Sequence, residues 1–378
     1  MAEVAVTLFI IALVVCVPVL VIGITVFVVL RRNKKGREAW GKTAQKLNFQ
    51  MPNPKQLKMT GNYDNCEVIA SIRVENVRSS ESNSKAYFTY CISEFREPLR
   101  FLLDVSSPKG YFSGSGTIST GNQNFDNKFR AKCYDPNILR NLLMSDFPSD
   151  RSQNLMGDLM LAAQSFGTIK ISDNSIYVER RGIVTDENVL HQMIEMTARL
   201  GNRFSAAREK FPLAEWEKQL FKNWEAFANE NRLNFNKQKC RLQGNYKNFL
   251  LLVELKTNKE KWQTNIEVRF PKSLMVGLKI MPENAVHKAL TWVGLQDIEV
   301  GIKEFDDTFI VKAENVPRAK YMLGPDVCRR LLSLNKNAST LLVDDQTMSF
   351  TYDTMIGDKY ALESTVKEMT TTANLLAG

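Results

Sequence analysis

The sequence predicts an α+β protein: one N-terminal transmembrane helix followed by two tandem repeats, each a small, mainly antiparallel sheet covered by helices. Three observations predict it. Residues 4–30 carry no charged side chain. A series of short motifs recurs in the same order in the two halves of the remaining chain. Between those motifs, short runs rich in Val, Ile, Tyr and Phe alternate with stretches of helical patterning.

The apolar run is the first element. A bilayer core needs about 20 helical residues, and Val4 to Leu30 exceeds that. Glu3 precedes the run and no basic residue does, which is not the layout of a cleaved signal peptide. Arg31, Arg32, Lys34, Lys35 and Arg37 follow it. Basic residues stay on the cytoplasmic side and are attracted to anionic headgroups. The expectation is therefore a single-pass inner-membrane protein with its N-terminus outside, its repeats in the cytoplasm and those five cations at the lipid surface.

The repeats come next. The reading places a basic segment at 31–37, repeat 1 at 38–204, a linker at 205–215 and repeat 2 at 216–378. A tryptophan opens each copy, Trp40 and Trp224. Leu47-Asn48-Phe49 recurs as Leu233-Asn234-Phe235, and Gly61-Asn62-Tyr63 as Gly244-Asn245-Tyr246. Phe95 and Leu99 match Phe270 and Leu274. The longest match is G-x-x-x-F-D-x-x-F-x-x-K. It reads Gly121, Phe125, Asp126, Phe129, Lys132 and then Gly301, Phe305, Asp306, Phe309, Lys312. Asp173 matches Asp345, Asp186 matches Asp358, and Glu195-Met196-Thr197 matches Glu368-Met369-Thr370.

Within each copy, helices are expected over 38–48 and 217–232. Strands are expected over 66–75, 86–95 and 99–105, and over 248–256, 262–270 and 274–281. The F-D motif leads into strands near 128–134 and 308–314. Helices over 136–145 and 325–334 follow, with Pro148 to Gly157 as a polar insertion in the first copy. Strand pairs over 168–172 and 176–180, and over 340–344 and 347–352, come next. Asp186 and Asp358 are placed as N-caps of closing helices.

Composition excludes some classes. Hydrophobic content of 44% and charged content of 24% are those of a folded protein. The six cysteines are scattered with no C-x-x-C pair, so they are expected reduced. The net charge of +9 is concentrated next to the apolar run, which weakens a nucleic-acid reading. Tyr87, Phe88 and Tyr90 on one strand, flanked by Lys85 and Arg96, match no base-stacking signature.

Candidate chemistry is sparse. Asp126 and Asp306 are the best-matched carboxylates, and their flanking phenylalanines favour turn or cap residues over a paired acid site. Lys132 and Lys312 fit partners of an acid. His191 and His287 do not occupy matching positions and no His/Cys cluster of metal-ligand spacing exists. The stretch Gly110 to Gly121 is rich in Gly, Ser and Thr but lacks the lysine of a phosphate-binding loop.

The series of Gly-Asn-Tyr, F-D-x-x-F and a capped closing helix resembles several uncharacterised bacterial membrane-anchored families. That resemblance implies no activity and no catalytic residue. No cofactor and no metal are expected. The expected function is a non-enzymatic, membrane-tethered interaction or scaffold protein, an accessory subunit binding other proteins of a membrane complex. A tethered ligand-sensing module is the alternative, ahead of an enzyme of unrecognised type.

Overall fold

A computed structural model of the chain describes residues 34–78, 83–107, 117–145, 154–258, 261–283 and 298–378. The chain divides into two compact units, one running to Arg208 and one beginning at Glu209.

The first unit opens with helix α1 over 34–47. Strands β1 (Met59–Tyr63), β2 (Cys66–Arg78), β3 (Asn83–Glu94) and β4 (Asp104–Ser107) follow. Then come α2 (Gln123–Lys128), β5 (Arg130–Lys132), α3 (Pro136–Leu143), α4 (Leu155–Phe166), β6 (Thr168–Ser172), β7 (Ser175–Arg181) and the long α5 (Glu187–Glu209). The strands form one sheet in the order β1-β2-β3-β7-β6-β4-β5.

The second unit contains α6 (Glu215–Asn231), β8 (Asn234–Asn236), β9 (Arg241–Tyr246), β10 (Phe249–Asn258), β11 (Lys261–Arg269) and β12 (Lys279–Pro282). It continues through α7 (Lys303–Asp306), β13 (Phe309–Lys312), α8 (Val316–Met322), α9 (Pro325–Lys336), β14 (Thr340–Asp344), β15 (Thr347–Tyr352) and α10 (Lys359–Ala377). Its sheet order is β13-β12-β14-β15-β11-β10-β9-β8. Read from the other end, that is the order of the first sheet with β8 added at the edge. Strand pairing in both sheets is antiparallel.

The membrane expectation is corrected. Among the described residues no helix is long and apolar enough to cross a membrane. The physical reason is visible in the two longest helices. Glu195, Arg199 and Arg203 recur turn by turn along α5, and Glu363, Lys367 and Glu368 interrupt α10. Both are amphipathic covers for a sheet. The described residues therefore form two α+β units without a spanning helix, and single-pass inner-membrane localisation with cytoplasmic repeats is not supported. The run 4–30, Arg31 and Arg32 lie outside the described residues. Lys34 lies at the described start of α1, 4.0 Å from Glu38 one turn on, and Lys35 and Arg37 are exposed on the same helix.

Each sheet buries one face under its helices. Trp40 on α1 is fully buried and its indole N–H donates to the Val184 carbonyl at 3.0 Å. Trp224 on α6 does the same to the Ile356 carbonyl at 2.9 Å. A buried indole needs such an acceptor. Behind each lies a buried threonine, Thr89 or Thr264. Each hydroxyl donates to a carbonyl (Gly182 or Thr354, both 2.9 Å) and accepts the N–H of Val184 (2.9 Å) or Ile356 (2.8 Å).

These contacts fix the register between the units, and it differs from part of the sequence alignment. Ala44 accepts from Phe49 N–H and Ala228 from Leu233 N–H, both at 2.8 Å, after residues Asn48 and Arg232 with left-handed φ. Phe49 therefore corresponds to Leu233, and the Leu-Asn-Phe tripeptide is a coincidence two residues out of step. Likewise α3 corresponds to α8 and α4 to α9. The first unit's extra residues lie between α3 and α4, so Leu155 to Gly157 belong to a helix and not to an insertion; residues 146–153 lie outside the described set.

The Gly-Asn-Tyr motif has a packing cause. A Cβ on Gly61 would sit 2.3 Å from the Phe49 ring. Gly244 meets Leu233 in the same way at 3.1 Å. Gly61→Ala is expected to displace Phe49 and destabilise the first unit by about 1–3 kcal/mol, as overpacking does. A urea midpoint equal to wild type would contradict this.

Candidate functional site

The F-D motif builds a turn in each unit. Gly121 (φ 86°) and Gly301 (φ 90°) take a left-handed conformation that favours glycine. Phe125 stacks on Phe129 with centroids 4.5 Å apart, and Phe305 lies 4.9 Å from Phe309; all four are buried. Asp126 accepts from the Thr120 N–H (3.0 Å), the Thr120 hydroxyl (2.7 Å) and the Ser119 hydroxyl (2.7 Å). Asp306 accepts from Val300 N–H (2.8 Å) and Gly301 N–H (2.9 Å). Partial burial pushes the Asp126 carboxyl up, but these donors outweigh it and hold it below the usual range. Both carboxylates are spent on their own loops. Lys132 and Lys312 sit at the ends of β5 and β13, where the backbone of Lys132 lies opposite Asp104 and that of Lys312 opposite Lys279; Asp104 forms its ion pair with Arg130 at 2.9 Å.

A second recurring carboxylate is more deeply set. Residues 99–103 were expected in a strand, yet Arg100 and Leu102 have φ of 59° and 50°. The segment is an irregular loop, and Asp173 holds it. Its carboxylate accepts the N–H groups of Phe101 (2.8 Å), Leu102 (2.8 Å) and Leu103 (3.1 Å). Asp345 accepts those of Val276 (3.2 Å), Gly277 (2.9 Å) and Leu278 (2.7 Å). Strands β4 and β12 accordingly begin later than expected.

Burial pushes Asp173 up to about 6, against the three N–H donors and Arg100. An unfolded aspartate titrates near ~3.9. Between those values the folded chain binds more protons than the unfolded one, so this group's contribution to stability falls as pH rises through that window. Carbon-13 NMR of the Asp173 carboxyl is expected to show a midpoint near the upper value. A midpoint at or below the unfolded value would contradict it.

Other candidates resolve structurally. His191 lies against Tyr63 (3.5 Å to the hydroxyl). Burial pushes the thiols of Cys91 up to about 12 and of Cys133 and Cys328 up to about 11. The described cysteines are free. Among the described residues no group of three or more His, Cys, Asp or Glu could hold a metal. His287, Cys16 and most of Gly110 to Gly121 lie outside the described residues.

The three clustered aromatics split by strand alternation. Phe88 and Tyr90 lie on the outer face of the sheet. There Arg73 covers Phe88 at 4.5 Å, and Tyr90 stacks on Tyr177 at 5.3 Å. Tyr87 turns to the opposite side, into a groove of about 660 Å³.

This groove is the site that reading the sequence missed. Its apolar floor includes Ile72, Val74 and Tyr87 on the β2–β3 arm, Leu57 and Ile183. The arm continues the core-facing side of the sheet past the point where β1 and β7 pair with it, at Ala70 and Thr89. Four cations line it: Arg37 on α1, Lys55, Lys85 on β3 and Arg181 at the end of β7. Among the described residues no acidic side chain lines it.

The second unit carries a different groove of about 750 Å³, lined by Leu274, Tyr321, Met322 and Leu375 among others. Tyr321 is 88% exposed, and Met275, next to Leu274, is 78% exposed.

The chain matches no known protein family and no curated protein sequence. Among solved structures it is similar to the crystal structure of the mycobacterial trehalose monomycolate transport factor A, TtfA. The likeness has 10% identity and a TM-score of 0.29, covering 42% of this chain and 95% of that one. So loose a likeness carries no argument about fold or function.

Proposed function

We propose that the chain is a non-enzymatic interaction protein that docks a protein partner on its second unit. The observation that carries this is the exposure of large apolar side chains at one groove: Tyr321 and Leu375 line it, and exposed Met275 directly follows its lining residue Leu274. Exposed apolar patches mark interaction sites. The recurring polar residues support the same reading from the other side. Asp126, Asp306, Asp173, Asp345, Thr89 and Thr264 all bind their own unit's backbone. Asp186 and Asp358 likewise cap α5 and α10.

A photo-crosslinking residue at position 321 of the full chain tests the proposal in the native cell. One protein adduct, absent with the crosslinker at exposed Glu209, is expected. A chain recovered without adduct would contradict it. One observation favours a second reading, a ligand-sensing module: the cation-lined groove of the first unit.

A further inference from the structure

The two units share a frame, so a position that differs between them can be located in both. The shared indole, threonine and carbonyl contacts set the register. Counting from Trp40 and Trp224, Arg37 corresponds to Phe221. From Thr89 and Thr264, Tyr87 corresponds to Trp262. From the carbonyls of Gly182 and Thr354, Arg181 corresponds to Asp353 and Ile183 to Met355.

In the second unit these positions close the space. Phe221 is buried, and Trp262 and Met355 pack against the core. Trp262 also lies 4.8 Å from Trp216. The floor residue corresponding to Ile72 is Leu255, buried at 6% exposure. Asp353 accepts from Gln263 at 2.6 Å and brings negative charge where the first unit has Arg181. In the first unit the same region is open. Val74 is 50% and Tyr87 40% exposed, with cations at Arg37, Lys55, Lys85 and Arg181.

An apolar floor with a cationic rim selects its occupant chemically. A neutral apolar molecule would leave four like charges crowded without compensation. A small anion would leave the apolar floor in water. A molecule with one anionic head and one hydrocarbon chain satisfies both halves. We propose that the groove of the first unit binds a single-chain amphiphile with an anionic headgroup. This rests on the ligand-sensing reading and names the ligand class for it. The chain lies along Ile72, Val74 and Leu57, and the head is held by Lys85 and Arg181 with Arg37 and Lys55 at the rim.

The test is calorimetric titration of the full chain with dodecyl phosphate below its micellar concentration. Dodecyl maltoside, inorganic phosphate and an octaglutamate peptide serve as comparators. Saturable one-to-one binding of dodecyl phosphate, much weaker binding of all three comparators, and weakening by added salt are expected. The double variant Lys85→Glu, Arg181→Glu changes two exposed side chains and should keep the wild-type circular dichroism. It is expected to bind about tenfold or more weakly. Val74→Asp tests the floor independently and is expected to weaken binding as well.

Binding of dodecyl maltoside, phosphate or peptide as tight as that of dodecyl phosphate would overturn the proposal, as would wild-type affinity in both variants. If dodecyl phosphate does not bind, native mass spectrometry of the chain from its own cells separates the two failures. A small-molecule adduct lost in the double variant leaves the sensing reading standing and the amphiphile class wrong. Absence of any such adduct sinks both.

Discussion

Asp173→Ala is expected to destabilise the first unit by on the order of 3–5 kcal/mol. The side chain is 1% exposed and accepts three backbone N–H groups. Alanine leaves those donors buried without acceptors, and each such group costs about 1–3 kcal/mol. Against a typical domain stability of about 5–15 kcal/mol this is a large fraction. Arg100 and Leu102 add to it, because their left-handed backbone persists only while the carboxylate holds it. Hydrogen exchange at Phe101 to Leu103 reads the effect locally, and a urea midpoint reads it globally. Asp173→Asn keeps one carbonyl oxygen and is expected to cost less. Equal protection of these amides in wild type and Asp173→Ala would refute the account of the loop.

The second large effect is expected at Asp158. This carboxylate on α4 is fully buried and bridges two arginines of α5, Arg199 at 2.6 Å and Arg203 in closer contact. Removing one member of a buried pair leaves the other charge uncompensated, at about 3–5 kcal/mol. Asp158→Ala is therefore expected to cost that much. The double variant Asp158→Leu, Arg203→Leu is expected to cost less than the sum of its singles, because it removes both buried charges and leaves only Arg199, whose side chain is 35% exposed. The second unit joins the corresponding helices with the signs exchanged: Arg330 on α9 and Glu368 on α10, at 2.7 Å. There both side chains are more than a third exposed. Glu368→Ala is expected to stay within about 1 kcal/mol. A double-mutant cycle showing equal coupling at the two pairs would contradict the role given to burial.

The contrast between these residues shows what the sequence could disclose. The F-D motif was legible because a left-handed glycine, two stacked rings and a loop-binding carboxylate need fixed spacing. Asp173 and Asp345 were legible as a pair, but their role was not, since the N–H groups they bind lie about seventy residues earlier in the chain. Thr89 and Thr264 passed unnoticed because a threonine in a strand is ordinary by pattern. The Leu-Asn-Phe repeat misled because matching letters carry no geometry; the left-handed residue ending each helix is Asn48 in one unit and Arg232 in the other. The strands β1 and β9 were missed because glycine and asparagine dilute their alternation. Helices α2 and α7 were missed because each is too short to show a helical period. The groove could not be read at all. Its four cations come from four separate segments, and only the packing of α1 against the residues after β7 brings Arg37 and Arg181 to one rim.

The central claim is that recurring polar residues hold the frame while the exposed surfaces that differ between the units carry binding. Quantitative co-purification from native cells tests it most directly, comparing the wild-type chain with Met275→Glu, Tyr321→Glu and with Glu209→Lys. The account predicts one stoichiometric protein partner with wild type and with Glu209→Lys, and its loss from the double variant at unchanged thermal midpoint. A wild-type chain that purifies alone, or a partner retained by the double variant, would contradict it.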